Sequence, residues 1–406
     1  MKVSAQSTIS RTKQLAKAGL ETVSALQPRH WSALRTSLTA HRGCIPPSAA
    51  NLRAAISWLK RAQDVTGSGG VSWGYRARLP IQSRYALGWQ PAYPETSGYI
   101  IESLIRYGEQ YSDPDAIERA RRIADWEISI QLPDGGTQGG PIGATPLSSS
   151  TFVTGQVLSG FVHAYQKFGT QSYAQAAERS AKFLLSCLDD GGRFIEGYSY
   201  FCAPGAKAYE VRTGWALALY GTVCNDAEGL SAGRRIAEFA VACQQENGWF
   251  DQDDLDEHEH PLTHTIGYTL EGLVGTGGLL SEPRYLDAAR TTLRYLQKLV
   301  RPDGFLAGRW TRDWRPAVDS CCLTGNCQIA FVCFRMHRSF PDDGFVELGD
   351  RLLGFVTGTQ VLEGRNPDKL GAINGSYPFG GEYGRHSSPN WAAKFYVDAI
   401  MERTKV

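Results

Sequence analysis

The chain has 406 residues, of which 42% are hydrophobic and 20% charged, a balance that gives a globular protein a sizeable core. Basic and acidic side chains nearly cancel, leaving a net charge of +1, so no bulk field favours nucleic acid or an acidic partner. No apolar run reaches the ~18 residues that span a bilayer, and the length suits one large barrel as well as two or three ordinary domains.

Residues 1–44 form a basic extension to the main domain of residues 45–406. The extension holds Lys2, Arg11, Lys13, Lys17, Arg29, Arg35 and Arg42 against the single acid Glu21. It lacks the apolar stretch of a secretory signal. It reads as a solvated helix packed on the main domain, with peripheral contact to an anionic membrane surface, or a transit function, as alternatives. Nine cysteines are an odd number, and several fall in helical patterns (Cys187, Cys224, Cys243, Cys327, Cys333). That points to buried thiols in a reducing compartment, hence to a cytoplasmic protein.

From residue 50 onward two kinds of helix alternate. The first kind is one-sided: Leu52, Ala55, Ile56 and Leu59 share a face, as do Ile117, Ala120, Ala124 and Ile128, and Leu286, Ala289, Leu293 and Leu296. These outer helices are predicted to begin near 51, 114, 172, 231, 283 and 344. The second kind opens with a recurring pattern: Thr96-Ser97-Gly98-Tyr99, Thr154-Gly155-Gln156, Thr213-Gly214-Trp215, Thr265-Ile266-Gly267-Tyr268 and Thr324-Gly325-Asn326. Ala392-Ala393-Lys394 closes the series with alanine in the glycine position. The segments so opened, such as Gly155 to Tyr165 and Gly214 to Tyr220, are apolar nearly all round and belong in an interior. These inner helices are predicted from near 95, 151, 209, 264, 322 and 390. Six outer–inner pairs predict an all-α (α/α)6 toroid.

Inner-to-outer connections are short, as at Tyr111-Ser112-Asp113-Pro114, whereas outer-to-inner ones are far longer than the usual ~2–8 residues between helices. All the long loops then share the face where the inner helices begin, and loops of that length are usually functional. The unpaired N–H groups of six helix starts favour an anionic ligand there.

The turn after each outer helix carries an Asp-Gly signal: Gln131-Leu132-Pro133-Asp134-Gly135-Gly136, Asp190-Gly191-Gly192, Gln245-Glu246-Asn247-Gly248-Trp249 and Asp303-Gly304-Phe305. Glycine is expected to end the outer helix in the left-handed conformation. The signal resembles the Gln-x-x-Asp-Gly-x-Trp repeat of squalene cyclases and protein prenyltransferase β-subunits, a likeness that bears on fold more than on chemistry. Residues 50 to 400 as a whole resemble helical-toroid proteins of bacterial exopolysaccharide biosynthesis clusters. The likeness is carried by Tyr93-Pro94-Glu95-Thr96-Ser97-Gly98-Tyr99, Pro261-Leu262-Thr263-His264-Thr265-Ile266-Gly267-Tyr268, Cys322-Leu323-Thr324-Gly325-Asn326, and Gly375-Ser376-Tyr377-Pro378 through Pro389-Asn390-Trp391-Ala392-Ala393-Lys394. The toroid is also similar to that of the glucuronyl C5-epimerases. The resemblance implies a saccharide or glycan substrate and polysaccharide-synthesis proteins as partners.

Glu95, Arg212, His264 and Lys394 sit at the starts of different inner helices, and Tyr383 lies in the last long loop. A packed core would favour apolar residues there, so they are predicted to line one funnel. Proton abstraction beside a sugar carboxylate needs a base and a cation. His264 or Tyr383 is the candidate base, Arg212 or Lys394 the cation, and Glu95 the group that orients or donates. Tyr99, Gln156, Trp215, Tyr268 and Asn326, one position after each repeat centre, and the loop aromatics Trp73, Trp249 and Trp310 are candidate sugar contacts. This predicts an epimerase or lyase acting on a uronic-acid-containing glycan, with no cofactor. The competing structural reading has Glu95 and Thr96 capping a helix and His264 as a satisfied core residue.

Four alternatives stand beside it. Glycosidic cleavage needs two carboxylates, with Glu95 and Asp251 or Glu382 as candidates. Asp251-Gln252-Asp253-Asp254 matches the acid motif of terpene cyclases, although the acids and histidines that follow it read as a solvated acidic loop. Asp319, Cys321 and His386 are candidate zinc ligands of a prenyltransferase-like site, against the plainer reading of Asp319 as a helix cap. A non-catalytic glycan-binding or scaffold protein is the fourth.

Overall fold

A computed structural model describes residues 43–77, 87–256 and 260–406. Residues 1–42, and with them the expectation of a membrane-contacting helix, lie outside the described residues. Among the described residues there are twelve α-helices. The outer ones are α1 (Ala49–Asp64), α3 (Pro114–Ile130), α5 (Gln171–Ser186), α7 (Ala227–Ala242), α9 (Pro283–Leu299) and α11 (Phe345–Thr359). The inner ones are α2 (Pro94–Gln110), α4 (Thr151–Phe168), α6 (Val211–Cys224), α8 (Thr263–Leu280), α10 (Leu323–His337) and α12 (Asn390–Arg403). Each inner helix packs on the next and on the outer helix that follows it, and α12 returns to both α2 and α1. The result is the closed (α/α)6 toroid that the repeat predicts. No described helix is long and apolar enough to cross a membrane, and all nine cysteines are unpaired thiols.

The short connections set the entry of the outer helices. Asp113 and Asp226 cap α3 and α7 by accepting from the amides of Ala116 and Gly229, and Pro114 and Pro283 occupy the first helical turn, where a missing N–H costs nothing. On the opposite face the turn glycines have a different task from the one expected. The outer helices stop five or six residues before Gly135, Gly192, Gly248 and Gly304. All four glycines have positive φ, but the turns they make lie against the next outer helix. A Cβ at Gly135, Gly192 or Gly304 would sit 2.4, 2.2 or 2.1 Å from the carbonyl oxygen of Arg179, Arg235 or Arg351. Gly371 closes the circle, its Cβ position falling 2.0 Å from the Ala54 carbonyl of α1.

Glutamines, buried at Gln63 and Gln360 and half-buried at Gln131, fasten three of the turns. The Gln131 amide donates to its own turn at Gly135 O and to Ala176 O of α5, both at 3.0 Å. Gln63 does the same toward Gly69 and Arg119, and Gln360 toward Gly371 and Asn51. On the loop side the first and last repeats also pair as strands, β1 (Gly74–Arg76) lying antiparallel between β2 (Gly88–Trp89) and β3 (Ser387–Pro389).

The repeat-centre glycines are all buried. A Cβ at Gly98, Gly155, Gly267 or Gly325 would meet the neighbouring inner helix, at Val157, Thr213, Gln328 or Thr263 respectively; at Gly214 it would meet Ile236 of the outer helix α7. Close approach offsets the ~1 kcal/mol that glycine costs a helix relative to alanine.

The inner helices are less apolar than α4 and α6 alone implied. Arg212 of α6 pairs with Glu271 of α8 at 3.1 Å, and Lys394 of α12 pairs with Asp398 at 2.8 Å. Deeper in, Arg106 and Arg338 hold Glu402, and His163 and Arg106 lie beside Glu102. Arg212 and Lys394 come from opposite sides of the ring, yet both act electrostatically on Glu271 and Glu102. These charges therefore meet on the barrel axis.

Gly371→Ala is expected to lower stability by ~2 kcal/mol or more, because the added Cβ meets both a positive φ and a backbone oxygen. Gly278→Ala, at a helical site with nothing within 4 Å of the new Cβ, should be neutral or stabilising by up to ~1 kcal/mol. Urea unfolding of the two variants checks the contrast; equal effects would remove the closing role given to Gly371.

Candidate active site

At the end of the ring where the inner helices begin, four inner helices, the Tyr209 turn that leads into α6 and five long loops enclose a cavity of about 240 Å³. Its polar groups include Glu95 at the start of α2, His264 and Tyr268 on α8, and Tyr383 in the loop before α12. Its aromatic walls include Trp73, Phe152, Tyr209 and Trp391. The loop of residues 199–202 forms one side, fixed by the Ser150–Ser199 hydroxyl contact (2.6 Å) and the Thr151 N–H donating to Gly197 O (2.8 Å).

Glu95 does not cap α2, which has no side-chain cap. Its carboxylate accepts from the Tyr93 hydroxyl. Burial raises its pKa to about 7, and the Tyr93 hydrogen bond only partly opposes this. His264 moves the other way: burial lowers it to about 4 against the hydrogen bond with Gln328. Its Nδ1 lies 2.6 Å from Gln328 Oε1, and its ring packs between Tyr268 and Tyr383, with centroids at 4.4 and 5.2 Å. Tyr383 accepts from Trp391 Nε1 at 2.7 Å. The hydroxyls of Tyr99 and Tyr268 interact, though neither makes a hydrogen bond of good geometry. Between about pH 4 and pH 7 the carboxyl therefore holds its proton while the imidazole is neutral. That is the arrangement of an acid and a base whose surroundings push their affinities apart.

Of the residues expected to share the funnel, Glu95, His264, Tyr268, Tyr383 and Trp73 line this cavity. The two cations do not. Arg212 is 1% exposed, paired with Glu271 and stacked 4.5 Å over the Trp215 ring. Lys394 is paired with Asp398 and lies over Tyr99 and Phe395. A buried charge needs a partner, and both find one below the cavity floor. Tyr99, Gln156 and Trp215 belong to that same interior. Asn326 donates to Gly304 O, and Trp310 donates to Thr263 Oγ1, so both brace the scaffold. Trp249 packs on Trp314 beside a separate surface cavity.

The alternative motifs are absorbed structurally. Asp251 pairs with Arg312, Asp254 with Lys207 and Glu382 with Arg309. Asp253 is not solvated as expected but buried, accepting from Thr269 at 2.6 Å. None of these four acids lines the main cavity. Asp319 is exposed and Cys321 buried against Asn326, and among the described residues no group of three His, Cys, Asp or Glu side chains is placed to hold a metal. It is Cys322, not Asp319, that caps α10, accepting from the Gly325 amide.

Several wall residues escaped the sequence reading. Phe152 and Trp391 sit at aligned repeat starts, so a rule admitting apolar residues would have found them. Tyr93, Cys202 and Leu255 carry no signal of their own. Glu210 is a second buried carboxyl raised to about 7 by burial, but it accepts from Thr151 and Thr213 and does not line the cavity.

The architecture places the chain among the (α/α)6 toroids. A solved structure of an unsaturated glucuronyl hydrolase specific for heparin has a TM-score of 0.68 over 88% of this chain and 96% of its own, at 13% identity. A polysaccharide lyase matches at TM-score 0.58 over 78% and 91%, with 13% identity. A sugar epimerase from a ruminal bacterium matches at 0.51 over 61% and 70%, with 15% identity. At such identities the likeness is one of fold. No protein-family model matches the sequence, and no curated protein matches it.

Because the folded pKa of Glu95 lies above its unfolded value of about 4.5, the stability of the neutral carboxyl is fully present below pH 4.5 and is lost as pH rises through 7. Glu95→Gln removes that loss. It is expected to gain roughly 2–4 kcal/mol relative to the parent between pH 5 and pH 9. Thermal melts of both proteins across that range test this; a pH-independent difference would mean Glu95 is ionised throughout.

Proposed function

We propose that the protein is a carbohydrate-active enzyme that moves a proton on a saccharide, with Glu95 as acid and His264 as base. The observation that carries the reading is that a buried carboxyl and a buried imidazole, each shifted by burial toward its neutral form, line one aromatic-walled cavity. Aromatic faces suit sugar rings, and a neutral imidazole beside a protonated carboxyl suits abstraction at one face with donation to the substrate oxygen. Epimerisation and β-elimination both need that pair. Among the described residues a single carboxyl lines the cavity, which favours these over glycosidic cleavage by two carboxylates. The glucuronyl hydrolase, lyase and epimerase folds lend support to a glycan substrate. Work on an exopolysaccharide during its biosynthesis is the setting that the sequence resemblance implies. A uronate substrate would have to meet some group other than Arg212 or Lys394.

Incubation with uronate-containing and neutral oligosaccharides in heavy water, followed by proton NMR, separates deuterium exchange from unsaturated or shortened products. Exchange or elimination is expected. The pH dependence of kcat/KM should rise as His264 loses its proton near pH 4 and fall as Glu95 ionises near pH 7. His264→Gln, which spares the packing among Tyr268, Tyr383 and Phe395 better than alanine would, should reduce kcat by about 10²–10⁴-fold. Undiminished turnover in that variant would sink the assignment, as would shortened chains alone.

A further inference from the structure

Among the described residues α10 places none in the cavity wall, and neither does the short turn before it, yet this helix reaches the site through one side chain. Gln328 is fully buried and places Oε1 2.6 Å from His264 Nδ1. The rest of the imidazole's surroundings are the rings of Tyr268, Tyr383 and Phe395. We propose that Gln328 is the positioning residue of this site, holding His264 as the Nδ1–H tautomer so that Nε2 faces the cavity as the proton acceptor. The proposal rests on the acid/base reading of the cavity.

Three observations support it. An amide oxygen only accepts, so the short contact assigns the ring proton to Nδ1. Gln328 also differs from the glutamines that fasten the ring. Gln63, Gln131 and Gln360 donate their amide nitrogens to two carbonyls each, whereas Gln328 leaves its own buried nitrogen without a partner. A buried donor left unpaired is unfavourable, so the contact with the imidazole is what this buried amide has in exchange. Finally, the room for this side chain comes from Gly267, where a Cβ would sit 2.8–2.9 Å from Gln328 Cβ, Cδ and Oε1. The repeat glycine on the base's own helix thus admits the residue that orients the base. Among the described residues the titratable groups against the imidazole are Tyr268 from its own helix and Tyr383 from the last long loop, and those sharing its cavity are Glu95, Tyr93, Tyr200, Cys202 and Tyr209.

Long-range proton–nitrogen correlation NMR on protein labelled with ¹⁵N-histidine reads the tautomer without any substrate, the His264 signal being identified by its loss in His264→Gln. The parent should show a protonated Nδ1 and a bare Nε2. Gln328→Leu should shift the population toward Nε2–H. Gln328→Glu should keep Nδ1–H and raise the pH at which the ring titrates by one unit or more, because a carboxylate stabilises the imidazolium. A bare Nδ1 in the parent, or an unchanged tautomer in Gln328→Leu, would overturn the proposal; should the leucine variant fail to fold, the parent and glutamate spectra decide. On the saccharide that exchanges or eliminates in the heavy-water assay, kcat should drop by about 10²-fold or more in Gln328→Leu with KM little changed, and recover in part in Gln328→Glu. A tautomer switch with full turnover would uphold Gln328 as the orienting group while removing His264 as the base.

Discussion

Everything in this molecule depends on the seam where the last turn meets the first outer helix. Gln360 bridges the Gly371 and Asn51 carbonyls, and Gly371 lies where any side chain would strike Ala54. The same construction at Gln63 and Gln131 makes this seam one joint in a series, and the pairing of β1 with residues 387–389 adds a second tie between the first and last repeats. Closure brings the inner helix starts into one crown, and the crown supplies an enclosed space that no single hairpin has.

Burial then acts on that space in two ways. On the barrel axis cations and anions desolvate together and meet as pairs, and Glu102 shows the balance: burial raises its pKa, but His163, Arg106, Lys394 and Arg212 together pull it below the ordinary value. In the cavity above, Glu95 and His264 have no counter-ion among the described residues, so desolvation prevails and shifts each toward its neutral form. The boundary between these regimes lies at Tyr99 and Tyr268, whose rings separate the aromatic chamber from the ionic interior.

The fold was legible because it repeats. Thr-Gly at three inner starts, Thr-x-Gly at two more, and Asp-Gly or Asn-Gly at the turns are local demands for close backbone approach, and such demands are written in residue identity. The site was legible only in part. Glu95, His264 and Tyr383 were found because charge or polarity stood at a position where packing alone favours apolar residues. The same rule wrongly admitted Arg212 and Lys394, since it cannot tell a side chain pointing up into the crown from one pointing down the axis. That depends on one helical turn and on partners, Glu271 and Asp398, far off or unmarked in the sequence. Gln328 was invisible for a similar reason: its contact spans 64 residues and belongs to a helix absent from the cavity wall.

The closed seam also changes how such an array comes apart. In an open stack of repeats each unit touches only its neighbours, and the terminal units fray first because they are held on one side only. Here every hairpin has two neighbours, so no unit is predisposed to peel away, and opening any one of them severs two interfaces at once. A nearest-neighbour chain bent into a hoop in this way behaves more nearly as a single cooperative unit, and the crown that carries the cavity inherits that cooperativity.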